Sequence, residues 1–140
     1  MMVRSAARSQ RDDTPTTRAP RQRSAILVVD DDPRVRRVVC DALEEEGWPV
    51  VVAEDGQQAT DEARRHPPSL VILDVTLPVL DGYAVAAALR AAHGADLPIL
   101  VMSADGQVAA KAQHIGAFAY LRKPFDLDTL VRLVESRLGS

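Results

Sequence analysis

Five short apolar runs, each separated from the next by a stretch with helix-like spacing, govern what this chain can fold into. They are Ala25–Val29, Val50–Ala53, Leu70–Leu73, Pro98–Met102 and Ala117–Leu121. Runs of four or five residues suit strands, and unbroken Val/Ile/Leu runs suit strands covered on both faces, as in parallel sheets. The intervening stretches carry helix signals. Asp32 is a good N-cap, Pro33 suits a first helical position, and Val35, Val38, Val39, Ala42 and Leu43 recur at helical spacing before Gly47. Gly56–His66 reads as a weak helix closed by Pro67–Pro68, and Asp81 is a plausible cap for a helix over Tyr83–Ala92. Asp105 is a candidate cap for a short helix over Val108–Ile115, which Gly116 stops, and Asp126 caps a last helix through Leu138. Strands alternating one for one with helices specify an α/β fold, a five-stranded parallel sheet with helices on both faces.

Three of the runs end in charge. Val29 is followed by Asp30 and Asp31, Leu73 by Asp74, and the run through Tyr120 and Leu121 by Lys123-Pro124. Open α/β sheets bind ligands beyond the carboxyl ends of their strands, so three carboxylates and an ammonium are expected at one sheet edge. Clustered carboxylates repel unless a cation lies among them, and hard oxygen ligands suit Mg²⁺. Asp74 is then a candidate nucleophile, since a carboxylate can form an aspartyl phosphate. Capping explains Asp32 but explains Asp74 poorly, because the next helix starts some eight residues later. Ser103, directly after the fourth run, is either a turn residue or a hydroxyl donor to a phosphoryl oxygen. Lys123 is either a solvated lysine or a point charge on phosphate. Pro124 makes the second reading more specific, because a cis proline in a tight turn would aim its neighbour.

Charge divides the chain in two. Residues 1–24 hold six arginines and two aspartates, net +4, while residues 25–140 hold 11 basic and 18 acidic residues, net −7, which together make the −3 of the whole chain. The first segment has almost no large apolar side chains, so a disordered basic tail is expected over 1–24 and a folded domain over 25–140. The tail offers contacts to nucleic acid, membrane or an acidic partner, with a solvated extension the preferred reading. The acidic body argues against nucleic acid as the domain's own ligand. One cysteine, Cys40, excludes a disulfide scaffold and is read as a small packing residue. No stretch is apolar enough to span a bilayer and no secretory signal is visible, so no membrane partner and a cytoplasmic location are expected. His66, His93 and His114 show no metal-ligand spacing and are read as surface residues, while Trp48, Phe118 and Phe125 are read as packing residues.

Taken together, LVVDDDPRVRR, VILDVTLPVLDGY, PILVMSA and GAFAYLRKPFD closely resemble the receiver domain of bacterial two-component response regulators, in its chemotaxis-regulator-like, single-domain form. The resemblance spans about residues 24–138. It implies a flavodoxin-like (βα)5 fold with strand order 2-1-3-4-5. It implies Asp74 as phosphoacceptor, Asp31 as direct Mg²⁺ ligand, Asp30 acting through a metal-bound water, and a metal contact from the Thr76 backbone carbonyl. Ser103 and Tyr120 match the switch residues, Lys123 the phosphate-binding lysine with Pro124 in a cis peptide, and Pro78, Asp81 and Gly82 shape the loop after the acceptor.

The implied reaction is phosphoryl transfer from a sensor histidine kinase, or a phosphotransfer protein, to Asp74. Autodephosphorylation then limits the signal, and the chain is not otherwise an enzyme. The modified domain would change its preference for a downstream protein through the face made by the fourth helix, fifth strand and fifth helix. From Ser103 to Gly116 the spacing is about two residues shorter than in many receivers, so the fourth helix or the loop before it should be short. Asp105 lies where family members tune dephosphorylation, a role that stands beside its capping role. Three alternatives remain. The chain is the receiver fragment of a longer regulator whose DNA-binding or enzymatic output is missing. Or Asp30-Asp31-Asp32 supplies the Asp-x-Asp of a haloacid-dehalogenase-type phosphatase, although Arg34 stands where that family usually has Thr. A flavin-binding module ranks last, because no Gly/Ser/Thr-rich phosphate loop follows the first strand.

Overall fold

A computed structural model describes residues 24–76 and 82–139. The expected basic tail, and Pro78 and Asp81 of the loop after Asp74, lie outside the described residues. The elements alternate throughout: β1 (Ile26–Val29), α1 (Pro33–Glu45), β2 (Val50–Ala53), α2 (Gly56–Arg65), β3 (Leu70–Asp74), α3 (Gly82–His93), β4 (Ile99–Ser103), α4 (Val108–Ile115), β5 (Ala119–Arg122) and α5 (Leu127–Leu138). All strand pairs are parallel, in the order β2-β1-β3-β4-β5. The α/β class, the flavodoxin-like order and the helices on both faces are as the sequence implies.

Side-chain alternation divides the core into two layers. Leu27, Val29, Val71, Leu73, Ile99 and Val101 face one side, where α2 adds Ala59 and Ala63 and α3 and α4 add Val85, Ala86, Leu89, Val108, Ala112 and Ile115. Ile26, Val28, Leu70, Ile72, Leu100 and Met102 face the other, where α1 and α5 add Val39, Leu43, Leu130 and Val134 together with Trp48. Each fully buried Val, Leu or Ile contributes about 1.5–3 kcal/mol of transfer free energy, so both layers are needed to hold the sheet. No helix among the described residues is long and apolar enough to cross a membrane.

Local signals account for most helix ends. The Asp32 carboxylate accepts the Arg34 N–H at 2.9 Å with Pro33 in the first turn, and Asp126 accepts the Asp128 N–H at 3.0 Å. Asp55, which the pattern does not single out, caps α2 through the Gln58 N–H at 2.8 Å. The capping role of Asp105 needs correction: the N-cap of α4 is Gln107, without a side-chain cap bond, and Asp105 instead accepts the Gln107 N–H at 2.6 Å from two residues upstream. The fourth helix has eight residues, as short as its spacing requires. The fifth strand starts at Ala119 rather than Ala117. Gly116, at φ 75°, closes α4, and the Ala117 N–H turns back to the Ala112 carbonyl at 2.9 Å. Gly82 opens α3 in close contact with the loop after β3: a Cβ there would lie 3.0–3.1 Å from Val75 atoms, so the approach requires glycine.

His66 and His114 are exposed, but His93 is half-buried, and the His114 ring lies 4.4 Å from that of Tyr83. Trp48 is buried in the α1/α5 layer, with Phe118 and Phe125 packed against it. Cys40 is a free, half-buried thiol whose pKa is raised by burial and then by the neighbouring Glu44, which fits a packing role.

Candidate functional site at the carboxyl edge of the sheet

The pleat decides which charged groups meet. Side chains two apart on a strand share a face. Asp30 continues the row Ile26–Val28, Asp74 the row Leu70–Ile72, and Lys123 the row Ala119–Leu121, all of the α1/α5 layer. Val29 pairs with Leu73, so Asp30 and Asp74 stand one step beyond the last rung of adjacent strands. Lys123 is the residue after β5, and its Nζ donates to Asp30 Oδ2 at 2.6 Å and to Asp74 Oδ2 at 2.9 Å. Its peptide with Pro124 is cis.

Asp30 and Asp74 are buried, at 0% and 1% exposure, while Asp31 is exposed. Carboxylate oxygens of Asp30, Asp31 and Asp74 all lie within 4.8 Å of one another. Burial is the largest influence on Asp30 and raises its pKa, with the nearby Asp74 charge adding to the rise, against hydrogen bonds from Lys123 and from the Asp32 N–H. Burial also works against the charge of Lys123, but its bonds to the two aspartates prevail and hold its pKa above the ordinary lysine value. Three carboxylates against one ammonium leave excess negative charge beside an open, exposed Asp31. That hard-oxygen donor set fits Mg²⁺.

The second Asp74 oxygen is also engaged. Oδ1 accepts the Thr76 N–H at 2.8 Å and the Thr76 hydroxyl at 2.6 Å. Ser103 is buried at the end of β4, but it continues the row Ile99–Val101 of the other layer. Its Oγ accepts the Asp105 N–H at 3.0 Å, and no bond joins it to Asp74 among the described residues. Asp105 in turn accepts Lys111 Nζ of α4 at 2.8 Å, and this bond, ahead of that from the Gln107 N–H, lowers its pKa. Tyr120, on the edge strand β5, is 49% exposed and stands outside the cluster. The structure therefore gathers Asp30, Asp31, Asp74, Lys123 and Thr76, and leaves Ser103 and Tyr120 apart from them.

Two contacts escape motif reading. Lys111 meets Asp105 across a loop whose spacing gives no warning. Arg36 Nη1 donates to the Asp30 carbonyl at 2.7 Å. The first turn of α1 carries arginines and no acidic residue, but that pattern does not name a backbone carbonyl as the partner.

Comparison with known proteins agrees with this arrangement. The family described as response regulator receiver domain matches residues 26–135. A probable transcriptional regulator, ycf27, of Porphyra purpurea is 40% identical over 121 residues, which cover 83% of this chain and 49% of that protein. Response regulator MprA of Mycobacterium sp. (strain KMS) is 42% identical over 115 residues, covering 81% of this chain and 50% of that protein. The receiver domain of NtrX from Brucella abortus superimposes with a TM-score of 0.75 at 34% identity, covering 82% of this chain and 98% of that structure. The chain spans about half the length of the curated relatives it matches. With its strand order, its acidic edge and these matches, the chain belongs to the response regulator receiver family of two-component signal transduction.

Proposed function

We propose that Asp74 is the phosphoacceptor of this receiver. The observation that carries the reading is the placing of the Asp74 carboxylate, buried at the end of β3, with one oxygen on Lys123 and the other on Thr76, inside the three-carboxylate cluster. Asp74 attacks the phosphorus of a phosphohistidine on a sensor kinase or phosphotransfer protein. An O–P bond forms, the N–P bond breaks, and the imidazole leaves. Asp31, Asp74 and the Thr76 carbonyl would hold Mg²⁺, with Asp30 acting through water; when bound, the metal supplies charge neutralisation on the transferred group. Lys123 moves from pairing carboxylates to pairing a phosphoryl oxygen, and Thr76 releases Asp74 Oδ1. The resulting acyl phosphate hydrolyses, so the signal limits itself and the chain works as a switch rather than a turnover enzyme.

Readout requires the Ser103 hydroxyl, whose oxygen accepts the Asp105 N–H, to swing toward the acceptor and donate its O–H to a phosphoryl oxygen. That movement strains the Asp105 bond and loosens the loop leading into α4, and Tyr120 turns inward behind it. The downstream protein then docks on the face of α4, β5 and α5. Coverage of only half of each curated relative, one of them named a transcriptional regulator, favours a second reading at the level of the whole protein, in which this receiver controls an output region. Membership in the receiver family removes support for the dehalogenase-type and flavin-module readings.

The test is intact-mass measurement after incubation with Mg²⁺ and a small phosphodonor. The expected result is a gain of one phosphoryl group, lost in Asp74→Ala and lost when the metal is chelated. Undiminished labelling of a folded Asp74→Ala protein would remove Asp74 from this role.

A further inference from the structure

Every polar atom of Asp30 is engaged. Its N–H donates to the Ala53 carbonyl at 3.1 Å, Oδ1 accepts the Asp32 N–H at 2.9 Å, and Oδ2 accepts Lys123. Its carbonyl oxygen accepts Arg36 Nη1 at 2.7 Å. Asp31, next in the chain, is exposed, and its carboxylate makes no hydrogen bond or ion pair with another described residue. No described neighbour holds it. The placement of its N and Cα, from which the side chain starts, is set by the peptide unit that joins it to Asp30.

That peptide unit is planar, so fixing the direction of its carbonyl oxygen also fixes the nitrogen and Cα of Asp31. Arg36 is the group that fixes the oxygen. It lies one turn into α1, on a helix held to the sheet by Val39 and Leu43, so its guanidinium approaches from a rigid base. It makes no ion pair with a carboxylate among the described residues, even though three carboxylates cluster at the end of the strand it serves. A guanidinium beside such a cluster that binds only a backbone oxygen is acting on the backbone, through a charge-assisted bond stronger than a neutral one.

We propose that Arg36 is a positioning residue for the divalent-cation site: by holding the Asp30 carbonyl it aims the Asp31 carboxylate at the cluster. The inference rests on the reading of Asp31 as a metal ligand. Supporting groups that orient a metal ligand typically change affinity about tenfold or more when removed. The same bond keeps the buried strand end from carrying an unsatisfied carbonyl, so loss of Arg36 also affects folding, and the test separates the two effects.

The experiment is calorimetric Mg²⁺ titration of the unphosphorylated full chain, for the wild type, Arg36→Gln, Arg36→Lys and Asp31→Asn, with melting curves recorded in chelator. Arg36→Gln is expected to bind Mg²⁺ about tenfold more weakly at a temperature where it is fully folded, and Arg36→Lys about threefold more weakly, since its ammonium restores one donor. Wild-type affinity in folded Arg36→Gln overturns the proposal while leaving the site reading intact. If Arg36→Gln does not fold, Arg36→Lys decides: unchanged affinity overturns the proposal and a two- to fivefold loss upholds it. Failure of the wild type to bind Mg²⁺, or equal binding by Asp31→Asn, defeats the metal-site reading and this inference with it.

Discussion

The two faces of the sheet are built differently. The α1/α5 face is filled by large side chains, among them Leu43, Leu130 and Trp48, and its rows lead into Asp30, Asp74 and Lys123. The α2/α3/α4 face takes only alanines from α2 but mixes alanines with Val85 and Leu89 of α3 and Val108 and Ile115 of α4, and its row through Val101 leads into Ser103, whose hydroxyl is tied through Asp105 to Lys111. The acidic cluster and Ser103 thus sit at the same sheet edge but on opposite pleats. The Asp74 side is anchored by bulky packing, and the Ser103 side meets a short helix held by Val108, Ala112 and Ile115 and by an ion pair. Large interdigitated side chains have few alternative arrangements, whereas the smooth alanine contact of α2 lets that helix shift with little repacking.

The strongest way to break this contrast is to empty the anchored side of its cation. Lys123→Met leaves two buried carboxylates facing each other and is expected to destabilise the metal-free protein by about 3–5 kcal/mol in urea unfolding, with Mg²⁺ recovering part of the loss. It should also phosphorylate poorly or fail to pass the signal on, and normal behaviour in both respects would remove Lys123 from the mechanism. Next comes Leu43→Ala on the same face, expected to cost about 2–5 kcal/mol because its neighbours cannot collapse into the space. On the other face the sensitive change is an increase in size. Ala63→Leu is expected to cost about 1–3 kcal/mol and to displace α2. If instead it is accommodated without loss, the alanine-lined α2 contact is looser than described.

The smallest effect is the sharpest probe of the readout arm. Asp105 has a lowered pKa in the folded protein because of Lys111. A group depressed on folding contributes stability above its unfolded pKa and loses it as pH falls through the folded value. In Lys111→Gln the Asp105 carboxyl should titrate at a higher pH than in the wild type, by carboxyl-carbon NMR, while Asp74 phosphorylation by a small phosphodonor continues. An unchanged Asp105 titration would show that the ion pair does not hold the loop.

Much of this was legible in the residues. Apolar runs located all five strands, and the i, i+2 rule, applied to Asp74 after Leu70 and Ile72, already places the acidic edge on one pleat. Caps at Asp32 and Asp126 were readable because a carboxylate immediately precedes the helical spacing. Asp105 misled because it has the cap chemistry but sits two residues too early, so it serves the loop rather than the helix end. The start of β5 was misplaced because a left-handed glycine closure borrows the Ala117 N–H that a strand would otherwise use. Arg36 and Lys111 were invisible to motif reading because their partners, a backbone carbonyl and a loop carboxylate, are set by tertiary approach rather than by spacing.

Mapping the phosphoryl group tests the central claim most directly. After labelling with a small phosphodonor and Mg²⁺, reduction of the acyl phosphate with borohydride marks the modified carboxylate for peptide sequencing by mass spectrometry. The account predicts the mark at Asp74 alone. A mark at Asp30 or Asp31, with Asp74 unmodified, would contradict it.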